Sequence, residues 1–230
     1  IVDLCGPFPN SPDQHNFMFV GVDEATDLFF VEPLRGKTPA GVVSAIAKFK
    51  ALMEEFREWL KLPKSAIWRL KSDLGSEFVA EETRKLVAET LGFQENVAKG
   101  RHISKIENTI REISNGLRAL ISGAGLPAKM WPFAALTYVH NHNVKHNEQW
   151  AAFLRSKNML CEEVLFGRLG FTKLADDLQA TSKSAEKGAP VCYLGPCSNM
   201  RKGANIIYVT ADGPLAGKYH YTTCLHKGIV

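Results

Sequence analysis

Three acidic residues stand where chemistry could use them. Asp73 closes the alternating run Ile67-Trp68-Arg69-Leu70-Lys71-Ser72, and Gly75 then permits a sharp turn away from a sheet. Asp3 follows another apolar start, Ile1-Val2, and Glu107 lies on a strongly periodic helical stretch. Separated carboxylates of this kind are what a divalent-metal phosphoryl-transfer site requires. Hard cations take oxygen ligands, and a pair of ions can clamp the attacking and leaving oxygens of an in-line displacement. A lone strand-end Asp says little, and Glu107 with Arg111 one helical turn on can be a surface ion pair.

Basic residues gather beside the third acid. Lys99, Arg101, Lys105, Arg111 and Arg118 fall on or just before its helix, against Glu107 and Glu112 as the acids there. They are candidates to hold phosphates, contacts that position a nucleic acid without reading its sequence. A solvated helix face is the alternative, and the whole-chain charge of +4 does not by itself announce a polyanion.

The elements that must carry these residues follow from periodicity. Residues 1–5 end a strand, broken by Gly6-Pro7. With two residues ahead of Asp3, that strand is expected to be poorly paired. The runs Phe17-Met18-Phe19-Val20-Gly21-Val22 and Leu28-Phe29-Phe30-Val31 make a hairpin, in which Asp23 bonds the turn's amides. Thr38-Pro39 starts a helix with Val42, Val43, Ile46, Phe49, Leu52, Met53, Phe56 and Leu60 inward. The strand to Asp73 comes next. A helix over 81–91 then ends at Gly92, and Phe93 opens a short extended piece. The helix bearing Glu107 repeats Ile103, Ile106, Ile110, Ile113, Leu117 and Leu120. A further helix over 127–141 is expected to kink at Pro132. His140, His142 and His146 lie at its end, where a polar helix exit is the default and a transition-metal site the alternative.

Residues 149–186 read as a connector. From Ala189 the pattern turns to short strands over 191–194, 205–209 and 218–222, enough for a small barrel or open sheet. The chain's 45% apolar and 23% charged residues are those of a globular protein. No apolar run approaches the roughly 20 residues that span a bilayer. Five scattered cysteines suit a reduced intracellular compartment better than a disulfide framework. Cys192 and Cys197 with His220, Cys224 and His226 could ligate zinc, but their pairing is loose and buried thiols are the default. The start Ile1-Val2-Asp3, without Met, reads as a piece of a larger polyprotein.

The strand–helix order matches an RNase H-like α/β fold. Val2-Asp3-Leu4-Cys5-Gly6-Pro7-Phe8, Phe19-Val20-Gly21-Val22-Asp23, Val31-Glu32-Pro33-Leu34 and Lys71-Ser72-Asp73-Leu74-Gly75-Ser76-Glu77-Phe78 resemble the core of a copia-type retrotransposon integrase. Arg118, Ala124-Gly125-Leu126-Pro127 and Trp131 resemble its post-catalytic helix and turn, and Glu163-Val164-Leu165-Phe166-Gly167 the segment after the core. Gly188, Gly195 and Lys202-Gly203 fall at matching turns of the Src-homology-3-like module that follows such cores.

The resemblance implies a mixed five-stranded sheet flanked by helices over residues 1–148, the connector, and a small β-barrel over 187–230. It implies that Asp3, Asp73 and Glu107 are catalytic and hold two Mg2+ or Mn2+ ions. The implied reaction is DNA 3′-end processing and strand transfer. The implied partners are element-end and target DNA and further copies of the chain, in the nucleus or a virus-like particle. The sequence also departs from the family pattern. Leu74 stands where Asn is usual, Ile103-Ser104 replaces Asn-Gly, Asn108 replaces Arg, and the Asp73–Glu107 separation is slightly short. A decayed or domesticated relic that binds DNA or protein is therefore a second reading, and a purely hydrolytic RNase H-like nuclease a third.

Overall fold

The structure, a computed structural model, describes residues 1–62, 68–72, 75–96, 104–173, 188–196, 203–208 and 221–225. Its first unit is an antiparallel ladder in the order β1-β2-β3, from Val2–Cys5, Phe17–Val22 and Phe29–Leu34. The hairpin turn is held as the sequence predicts: Asp23 Oδ2 accepts from the Thr26 amide at 3.1 Å and from its hydroxyl at 2.6 Å. The first strand is better paired than expected. All four residues of β1 oppose β2, Val2 to Gly21 through Cys5 to Met18, and the Val22 amide adds a bond to the Ile1 carbonyl at 2.8 Å.

Strand β2 is buried on both faces, so it reads as a continuous apolar run. Met18, Val20 and Val22 face one core with Phe29 and Val31 of β3. Phe19 faces the other with Val2 and Leu34. Helix α1 (Pro39–Trp59) covers the second face. The Thr38 hydroxyl caps it by accepting the Gly41 amide at 3.2 Å, and Val42, Ala45, Ile46, Phe49, Met53 and Phe56 point inward. Strand β4 (Trp68–Ser72) pairs in parallel with β5 (Gly92–Asn96). Two short helices, α2 (Ser76–Val79) and α3 (Glu81–Leu86), and one wide turn over Val87–Leu91 connect them. The helix expected over 81–91 thus changes its winding in its last turn, before Gly92 reverses the chain at φ 89°.

The expected five strands are present as two ladders. Strand β4 approaches β1, but no ladder joins them among the described residues. On the other face lie α4 (Ser104–Ala124) and α5 (Trp131–His146), followed by α6 (Glu148–Ser156), which packs against α1. Pro132 does not kink α5. It occupies the first turn, where its missing amide costs nothing, and residues 128–130 before it form a 3-10 turn. What sets that start is Trp131. Its ring stacks on Phe8 at 4.5 Å, and its indole N–H donates to the Pro9 carbonyl at 2.9 Å.

The remaining strands, β6 (Leu169–Lys173), β7 (Gly188–Pro196), β8 (Gly203–Tyr208) and β9 (Tyr221–Leu225), form an antiparallel meander that is open among the described residues, not a closed barrel. Strand β6 falls in the stretch that reads as a connector. The sheet docks on α5 through β7, whose Cys192 and Leu194 join the core of α4 and α5, while Val191 and Tyr193 face Val164 and Ile206. The approach is close at Gly195. A Cβ there would lie 2.1 Å from the Thr137 hydroxyl, and the residue's φ of 122° independently disfavours a side chain. Cys192 is buried, its thiol pushed up to about 11 by desolvation. Cys197, His220 and His226 lie outside the described residues.

Three asparagines of the α5 region satisfy backbone groups of other segments. Asn143 is buried and clasps the backbone of Phe29, accepting its amide at 2.9 Å and donating to its carbonyl at 2.8 Å. Asn141 does the same for Val164, and Asn147 caps α6 at the Trp150 amide. Replacing Asn143 with Ala orphans two buried backbone groups. The variant is expected to lose about 2–4 kcal/mol of unfolding free energy in a urea titration, with an unchanged m-value.

Candidate active site

Strand alternation decides which way Asp3 points. Val2 and Leu4 pack toward α1, whereas Ile1 and Cys5 pack toward α4, so Asp3 lies on the α4 face of β1. Its carboxylate accepts the Leu4 amide at 2.7 Å. Two contacts fix how α4 crosses this strand. Near its N-terminus, Lys105 bonds Asp27 in the β2–β3 turn at 2.5 Å, at the Ile1 end of β1. Further along, the Ser114 hydroxyl meets the Cys5 thiol at 4.0 Å. The helix therefore runs with β1, and Glu107 falls between those fixed points, as Asp3 falls between Ile1 and Cys5.

The angular position of Glu107 follows from helix geometry. At about 100° per residue, Arg111, Ser114 and Arg118 lie within about 40° of Glu107 on the helix surface. Because Ser114 touches Cys5, that surface is the one turned to β1. Glu107 is half-buried in the first turn of α4, where the helix dipole favours an anion. Buried Ile106, Ile113 and Leu117 hold the helix down beside it. Close contact with α5 is made at Gly116, where a Cβ would lie 2.1 Å from the Tyr138 ring.

Strand β4 lies next to β1. Trp68, Arg69 and Leu70 line one cleft with Ile1 and Val22, so β4 lies beside the start of β1. It ends at Ser72, which is fully buried. Asp73 is the next residue in the chain and lies outside the described residues, as do Lys99 and Arg101.

Among the basic candidates, Arg111 and Arg118 are exposed on the Glu107 side of α4. Arg111 donates to Asn108 at 3.1 Å, and Arg118 to the Ser114 carbonyl at 2.9 Å, so both guanidinium groups are anchored on their own helix. Lys105 is about 160° away from Glu107 around the helix and is paired with Asp27. The structure thus separates it from the two arginines, although the sequence groups all three.

Two residues were not singled out from the sequence. Ser114 recurs two turns after Glu107 and seats α4 on β1, a signal readable in the spacing alone. Glu77, in the motif that follows Asp73, is buried with Lys37 at 3.9 Å and the Ser76 hydroxyl at 3.2 Å. Burial of that carboxylate has no signature in the local sequence.

Donor chemistry limits what could bind. Asp3 and Glu107 offer oxygens alone, which suits Mg2+ or Mn2+ and not a thiophilic ion. Among the described residues no three His, Cys, Asp or Glu side chains already stand together for a metal, and Asp73 is not among those residues. The nearby Cys5 thiol is pushed up, chiefly by burial, and stays protonated at neutral pH.

No family model and no curated protein matches the chain. Among solved structures it is similar to the catalytic core domain of BIV integrase, with a TM-score of 0.44 and 14% identity over 68% of this chain and 93% of that one.

Two histidines on α5 make the fold pH-sensitive. Burial pushes the pKa of His140 down, against a weaker opposing bond with the Glu162 carbonyl. Burial likewise lowers that of His142, opposed by Glu112. A lowered folded-state pKa means that the unfolded chain binds the proton first. The stabilisation is therefore present above the ordinary value of 6.5 and is lost as pH falls from there through the lowered folded-state value. Unfolding free energy measured between pH 7.5 and 5 is expected to decline, and His140→Gln should flatten the decline.

Proposed function

We propose that this chain is a core of a copia-type integrase that cuts and joins DNA through a metal-dependent phosphoryl transfer. The observation carrying this reading is the convergence of three elements. The α4 face of β1 holds Asp3, α4 lays Glu107 along that face, and β4 lies beside β1 and ends one residue before Asp73. The motif resemblance assigns a ligand role to each of those acids.

Asp3, Asp73 and Glu107 would hold Mg2+ or Mn2+, which when bound activates the attacking oxygen and stabilises the leaving one. The chain's own part is to orient and to charge the site. Asp3 is fixed by the Leu4 amide, Glu107 by the buried stripe of α4, and Arg111 and Arg118 extend a cationic track along the same side of that helix. Water as nucleophile would trim a 3′ end, and the freed 3′ hydroxyl would then join the DNA to a target.

Incubation with a labelled duplex and Mn2+ is expected to give nicked and joined products. Asp73→Asn should lower turnover about 100-fold or more while DNA affinity stays within a few-fold. Cut ends without joined product would favour a hydrolytic nuclease. DNA binding without any turnover would favour the relic, which the Leu74 and Ile103-Ser104 departures suit. Turnover surviving Asp73→Asn would remove the metal-site assignment. The track makes a separate expectation: Arg118→Ala should lower the salt slope of DNA binding by about one, and Lys105→Ala should change it less.

A further inference from the structure

A second cluster of ligand-type side chains lies away from these acids, where the end of α5 meets α4. His142 and His146 stand one helical turn apart, with ring centroids 4.7 Å from each other. Across from them, Glu112 of α4 places Oε1 3.4 Å from His142 Nε2. No hydrogen bond joins those two atoms. That carboxylate oxygen instead accepts the Tyr138 hydroxyl at 2.9 Å. A tetrahedral ion about 2.0–2.1 Å from each donor holds neighbouring ligands about 3.3–3.4 Å apart, the spacing found here.

We propose that His142, His146 and Glu112 form a transition-metal site of the Zn2+ type that ties α4 to α5. Two of the donors are already oriented. The His142 ring is stacked on Phe29 at 3.9 Å and 10°, with 15% of its side chain exposed. Glu112 is aimed by Tyr138, the outer-shell role that a metal-ligating carboxylate ordinarily needs. Burial favours the neutral imidazole of His142, which is the ligating form.

His146 is the donor that must move. As they stand, the three side chains do not converge on one point. His146 is exposed, its ring lies against that of His142, and among the described residues it makes no hydrogen bond that a change of rotamer would break. The two histidines border a cavity of about 260 Å3 that Tyr138, Glu163 and Lys145 also line. Glu163 offers a further carboxylate there. His140 is not part of the site, since its Nε2 is engaged with the Glu162 carbonyl at 3.0 Å. The imidazole donors separate this site from the carboxylate one: they suit Zn2+ or Co2+, whereas oxygen donors suit Mg2+ or Mn2+.

Titration of the whole chain with Co2+, followed by visible absorption, tests the proposal. Expected are one saturable equivalent with the intense bands of tetrahedral cobalt, displacement by Zn2+, and affinity about tenfold or more weaker in His146→Ala and in Tyr138→Phe. His146 is exposed, so its variant keeps the fold. Weak octahedral bands, thiolate charge-transfer bands that place the ion on cysteine, or unchanged uptake by His146→Ala would each overturn it.

Discussion

Packing of the α4 apolar stripe against the β1–β3 ladder is the contact on which the rest depends. Ile106, Ile113 and Leu117 are 4% exposed or less and press on the face that carries Met18 and Val20. Full burial of each such side chain contributes about 1.5–3 kcal/mol, more than an exposed ion pair of the Lys105–Asp27 kind. That gain can hold Glu107 on the side of α4 that faces β1. Apolar packing thus supplies the free energy that keeps an acid of α4 on the flank of the strand that carries Asp3.

The same core has a second consequence on its far side. Helix α5 closes the edge of β3 with a side chain, through the Asn143 clasp on Phe29, and accepts β7 on its other flank at Gly195 and Thr137. The four-stranded sheet is therefore joined to the core by shared burial of Cys192 and Leu194 and not merely appended to it. A change in α5 would be felt at once by the hairpin, by α4 and by the C-terminal sheet.

Much of this was legible in the sequence where the cause is local. The Thr38-Pro39 helix start, the Asp23 turn, the Gly92 stop and the stripe of α4 each depend on neighbours within one or two turns. Features set by distant partners were not. Pro132 reads as a kink until Trp131, stacked on Phe8 from the other end of the chain, fixes the helix start just before it. Asn143 looks like a polar helix end, yet its partner is 114 residues away. Lys105 shares a basic run with Arg111 and Arg118, but helical rotation and Asp27 assign it elsewhere. Of the three acids, the placements of Asp3 and Glu107 follow from alternation and helix pitch, while Asp73, Lys99 and Arg101 fall outside the described residues.

The central claim is that one divalent-metal site joins β1, the end of β4 and α4. Anomalous diffraction from crystals soaked in Mn2+ reads this directly. The account predicts manganese peaks bridged by carboxylate oxygens of Asp3, Asp73 and Glu107. Carboxylates too far apart to share an ion, with manganese bound elsewhere or not at all, would contradict it.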